Sequence, residues 1–178
     1  MHDNGEAPQD DAHRERQRLV PLRRLIEGWA LVGGLVLVAV ILMNVFSVAS
    51  GALFGRPLAG DFEMVETGVA VAAFAFLPWC TLTGGHVSAD AFTERAGART
   101  KAALAILAAT IGVAIAGVLF WRMCYGLADQ ISYGETTAII SIPLWWAYVP
   151  VVASLALLVV AAVIALADAL PARDMWHD

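Results

Sequence analysis

Charge is scarce in this chain. Lys, Arg, Asp and Glu make up 15% of its 178 residues against 60% hydrophobic residues, and the mean hydropathy is +0.71. A soluble domain carries about 25% charged residues, so the apolar surface exceeds what a water-exposed fold can bury and lipid must cover the remainder. Cysteine is scarcer still. Only Cys80 and Cys124 occur, in different segments, whereas a membrane enzyme that exchanges disulfides needs paired cysteines near a membrane surface. Histidine is missing from every apolar run. His2, His13, His86 and His177 all lie outside them, so no axial ligand stands at membrane depth for a haem. Covalent chemistry and cofactors are not expected, and neither is a nucleic-acid partner.

What is present is length without charge. A bilayer core about 30 Å thick takes roughly 20 apolar residues of helix to cross. Uncharged runs of that order cover about residues 25–48, 65–82, 102–128 and 143–167. Backbone amides in hydrocarbon must pair within a helix or a closed barrel, and the runs lack the alternation of a barrel strand. The expected fold is therefore all-α, an integral membrane protein with four transmembrane helices over residues 19–170. The first run, with Ser47, Val48 and Ala49 near its end, is too long for a signal peptide and is read as an anchor. Orientation follows the cations, because short loops rich in Arg and Lys stay in the cytoplasm. Arg14, Arg16, Arg18, Arg23 and Arg24 precede the first run, Arg95, Arg99 and Lys101 separate the second from the third, and Arg173 follows the fourth. The opposite side has Arg56 alone. Both termini are thus expected in the cytoplasm, with residues 171–178 as a short tail.

Residues 1–18 are polar and without apolar periodicity, which predicts a disordered leader. From Leu19 apolar residues interleave with Arg23 and Arg24, and two readings stand: a short interfacial helix along the inner membrane surface, or a plain juxtamembrane anchor. Trp29 and Trp79 mark the inner headgroup level, and Trp121, Tyr125, Trp145, Trp146 and Tyr148 the outer one. Pro143 suits a first-turn position, while Pro78 and Pro150 predict kinks. Ala108, Gly112 and Ala116 recur every four residues, and such a small-residue face predicts a helix packed on it, within this chain or from a partner.

Candidate functional groups are few. His86 and Asp90 would share a helical face, but two ligands do not make a zinc site, which needs three or four. A self-sufficient transporter normally carries ionisable or amide groups near the midplane. This chain offers Asn44 and Glu27 near helix ends and Arg122 inside the third run. Arg122 either snorkels toward the outer surface or pairs with Asp129, Glu63 or Glu66. So sparse an interior points to an accessory subunit. Two alternatives are a homo-oligomeric transporter or channel lined by Arg122, and an accessory subunit of an unrelated complex.

Two stretches carry a resemblance. Glu66 opens the second run, which ends in Gly84, Gly85, His86, Val87, Ser88, Ala89 and Asp90; Ser141, Ile142, Pro143, Leu144, Trp145, Trp146, Ala147, Tyr148, Val149 and Pro150 enter the fourth. Over roughly residues 20–170 the chain resembles the DctQ-like small membrane subunit of tripartite ATP-independent periplasmic (TRAP) transporters. The resemblance implies a bacterial inner-membrane complex in which a periplasmic solute-binding protein captures an organic anion and a large membrane subunit moves it inward with sodium. The small subunit would clasp the large one and offer part of the docking surface for the binding protein. On that reading Gly85, His86 and Asp90 would shape the inner end of the second helix, and Pro143, Trp145, Trp146 and Tyr148, in the motif that Pro150 closes, would set the height of the fourth. The acidic outer loops, 50–63 and 129–142, would face the binding protein.

Overall fold

A computed structural model describes residues 7–83 and 98–169. Four helices account for nearly all of it: α1 Ala7–Phe54, α2 Asp61–Leu82, α3 Ala98–Tyr133 and α4 Trp145–Ala169. Each contains a stretch long and apolar enough to cross a membrane. Among the described residues there is no strand, only an isolated bridge between Thr136 and Pro143.

The helices stand in the order α1, α2, α4, α3. α1 packs on α2, α2 on α4 and α4 on α3, while α2 and α3 form no packed interface. α4, in the middle, buries the largest share of its span and α3 the smallest. Leu31, Leu35 and Leu42 on α1 and Leu107, Ile111, Ile115 and Val118 on α3 are exposed in the isolated chain. In water such surface would drive aggregation; in a bilayer lipid or a neighbouring helix covers it.

The small residues that bring helices together are on α1 and α2. A Cβ added to Gly33 would stand 2.6 Å from the Ala75 Cβ, and one added to Gly68 would collide with Val40. Ala30, Ala72 and Ala75 are buried alongside them. Without a hydrophobic effect between helices in lipid, such close approach of backbones is what holds a pair together. The stripe expected on α3 is used only at its C-terminal end: Ala116 is buried, but Ala108 is exposed and nothing lies within 4 Å of a Cβ added at Gly112. The intrachain reading of that stripe is therefore corrected over most of its length.

Several boundaries differ from the sequence reading. α1 is helical from Ala7, over residues 7–18 where a disordered leader was expected, and it runs without interruption through Pro21 into the span. Acid-before-base spacing, Asp10 to Arg14 and Glu15 to Arg18, is a sequence pattern that favours helix. At 48 residues α1 is about 72 Å long, well over the thickness of a bilayer core. Among the described residues no separate interfacial helix precedes the span. Pro78 and Pro150 lie inside unbroken helices. Pro143 stands just before α4 and not in its first turn; its carbonyl accepts the Trp146 N–H (3.2 Å) and that of Leu144 accepts the Ala147 N–H (3.0 Å).

Candidate functional site

Four spans place the α1–α2 and α3–α4 connections at one end of the bundle, the end that the charge rule assigns to the outside. There the chain builds a fixed platform. Ser47 is fully buried in α1; its hydroxyl donates to the Asp61 carboxylate and accepts the Leu58 N–H at 3.1 Å. The Ser50 hydroxyl donates to the Arg56 carbonyl at 2.9 Å. Gly55 and Gly60 hold left-handed φ values of 66° and 76°, and any side chain at Gly60 would run into Ile140. Glycine serves both demands at position 60, conformation and space.

Ile140 belongs to the second loop, so Gly60 is where the two loops meet. Glu63 fastens that contact. Its two carboxylate oxygens accept the backbone N–H groups of Ile139 at 2.9 Å and Ile140 at 3.3 Å. The loop between Tyr133 and Trp145 is itself closed by N–H bonds from Thr137 to the Ile142 carbonyl (3.0 Å) and from Leu144 to that of Glu135 (3.0 Å). Buried or half-buried backbone donors must find acceptors, and a charged acceptor is roughly twice as strong as a neutral one.

The acids of this end therefore differ in availability. Asp61 and Glu63 are occupied within the chain, and Glu135 receives the Gln130 side-chain amide at 3.0 Å. Glu66 and Asp129 are exposed, with no hydrogen bond or ion pair among the described residues. Arg122 is exposed on α3 and has no acidic partner among the described residues, so the expected pairing with Asp129, Glu63 or Glu66 does not form in the isolated chain.

The aromatic residues at this end occupy distinct places. Trp145 and Trp146 stack edge to face at a centroid distance of 5.9 Å, as do Trp121 and Tyr125 at 5.4 Å. Trp146 is 62% exposed, as a residue at a headgroup boundary would be. Tyr148 is half-buried, its ring against Gly126 of α3. Trp29, expected at the inner headgroup level, is instead a strut: its indole N–H donates to the Ser154 hydroxyl on α4 at 2.9 Å, and Ser154 donates to the Pro150 carbonyl at 2.7 Å. The motif residues Gly85, His86 and Asp90 lie outside the described residues.

Two hollows open beside the α2–α4 contact. The larger, about 530 Å³, is lined by Glu66 and Phe74 of α2, Met123 of α3, Thr136 of the loop, and Tyr148 and Val151 of α4. The smaller, about 220 Å³, lies among Met64, Gly68, Ile140, Pro143 and Trp146. Among the described residues no three His, Cys, Asp or Glu side chains come together as metal ligands.

The family model of the DctQ component of tripartite ATP-independent periplasmic transporters matches residues 37–172, which takes in α1 from residue 37 onward and all of the other three helices. The chain belongs to the DctQ family. DctQ proteins are the small membrane component of TRAP transporters, so this is a multi-pass membrane protein of a transporter and its family is not one of enzymes. No curated protein and no solved structure matches it. Within the DctQ match, the residues that organise the outer end are Ser47, Gly60, Glu63 and Ile140, none of which the sequence motifs singled out. A serine in an apolar run was the available signal, since a buried hydroxyl in lipid has to find partners.

Proposed function

We propose that this chain is the scaffold subunit of a bacterial inner-membrane TRAP transporter, with both termini in the cytoplasm. It holds the large sodium-coupled subunit and presents its outer platform to the periplasmic solute-binding protein during uptake of organic anions. The observation that carries this reading is the DctQ match across the four-helix fold. Three features support it. The row of helices leaves broad apolar faces on α1 and α3 for lipid or a larger membrane protein to cover. The two outer loops form one body through Gly60, Glu63 and Ile140, a stiff surface suited to docking at low entropic cost. Among the described residues the spans bring no cluster of ionisable groups to their midplane such as a substrate or coupling ion would need.

The acids on that platform do not contribute equally to docking. Asp61 and Glu63 hold the platform together; of the acids in the second outer loop, Asp129 has no partner among the described residues and Glu135 holds only the Gln130 side-chain amide, so these two are left to a partner. Charge steering by such exposed groups acts mainly on the association rate and weakens with salt. Proteoliposomes carrying the large subunit, with binding protein outside and a sodium gradient, test the proposal. Anion uptake should require this chain, and vesicles with this chain alone should take up nothing. Uptake by the chain alone would overturn the reading in favour of an autonomous transporter.

A further inference from the structure

Because α2 and α3 both flank α4 without packing on each other, the outer half of the molecule has a cleft between them with α4 as its floor. Its lining mixes small and large side chains. Glu66, Ala70 and Phe74 of α2, Met123 of α3, and Ala147, Tyr148 and Val151 of α4 line it. Small residues let a helix bring its backbone close, and large ones beside them give its ridge of side chains something to pack on. A volume of about 530 Å³ is too small for a whole helix and suits such a ridge.

The rim decides the charge of the occupant. Glu63, one turn away, is fully engaged by the Ile139 and Ile140 amides. Glu66 has no partner among the described residues although it lines a mostly apolar groove, whose other polar lining is Glu63, three threonines and Tyr148. A carboxylate covered by an apolar surface would lose its water without compensation, and a cation on the covering group compensates it more fully than a neutral donor.

We infer that the α2–α4–α3 groove receives a transmembrane helix of the large TRAP subunit, which seats apolar side chains against Phe74, Met123 and Val151 and presents an Arg or Lys to Glu66. This rests on the proposed function above and adds the surface and the chemistry of the contact. The pair forms at the outer headgroup level, where both groups can stay hydrated until the helices meet. Once covered, the pair is hard to break one-sidedly, because the surviving charge is left buried.

The test uses the two membrane subunits co-expressed in full, in a chain freed of reactive thiols by Cys80→Ala and Cys124→Ala. Glu66→Lys should reduce the large subunit retained on a tagged chain about tenfold, a change of about 1.4 kcal/mol. Glu66→Gln should reduce it less, and Asp129→Lys, with the same charge change outside the groove, should leave it unchanged. The melting temperature of the isolated chain should be the same for Glu66→Lys and the parent, since no intrachain bond is lost. A benzophenone probe on Ala70→Cys should link to the large subunit. Full retention by Glu66→Lys, or a probe that labels only phospholipid while the parent complex stays intact, would overturn the groove and leave the scaffold reading standing. A parent chain that retains no large subunit would overturn both.

Discussion

At the residue scale, three buried or half-buried polar side chains tie the helices together at named points. Ser47 closes the α1–α2 turn, Glu63 holds the α3–α4 loop, and Ser154 receives Trp29 from across the bundle. Interhelical hydrogen bonds in membranes average about 0.6 kcal/mol and reach about 1.7. Ser154→Ala should accordingly lower stability in detergent by about 0.5–1.5 kcal/mol in an SDS-unfolding titration, and Trp29→Phe should lower it by a similar amount, with the double variant little worse than either. Gly60→Ala should cost more than about 1 kcal/mol, because it adds strain at positive φ to a collision with Ile140. Glu63→Ala should remove the amide-exchange protection of Ile139 and Ile140 while leaving α4 protected. These residues were not legible as a network in the sequence. Glu63 and Ile140 are far apart along the chain, and only folding brings the carboxylate onto the loop amides.

At the element scale, the four spans were legible because twenty or so uncharged residues admit few other structures in lipid, and the helices contain each expected run almost whole. Their ends were less so. Helix continues past the membrane wherever no residue stops it, which is why α1 reaches back to Ala7 and α3 on to Tyr133. Within the chain, the closest helix approach falls on helices other than the one with the regular small-residue pattern. Ala108, Gly112 and Ala116 have regular spacing, but α1 and α2 make the close approach through the less regular set of Gly33, Gly68, Ala72 and Ala75. Periodicity identifies a face able to pack and does not say which neighbour reaches it. Gly33→Val should therefore destabilise the isolated chain, whereas Gly112→Leu should leave its melting temperature within a degree or two; a thermal melt of the two variants side by side checks both.

At the scale of the whole molecule, the chain is a row of helices with a stiff outer end and two largely uncovered flanks. Such a body is poorly suited to carry a solute by itself and well suited to lie along a larger membrane protein. The motifs entering α2 and α4 were enough to point to the DctQ family, and the family match bears that out. What they could not convey is which outer acids are free for a partner, since that depends on hydrogen bonds made only in the folded chain. Reversal of Asp61 would damage the platform itself, so Glu135→Lys is the cleaner probe of docking, and its effect should shrink as salt rises. The most direct test of the scaffold role is affinity purification of the C-terminally tagged chain from its native membranes in mild detergent, followed by mass spectrometry. One much larger many-helix protein in near-equal amount, with a periplasmic binding protein retained more weakly, is the result expected. The chain recovered alone as a stable homo-oligomer would contradict it.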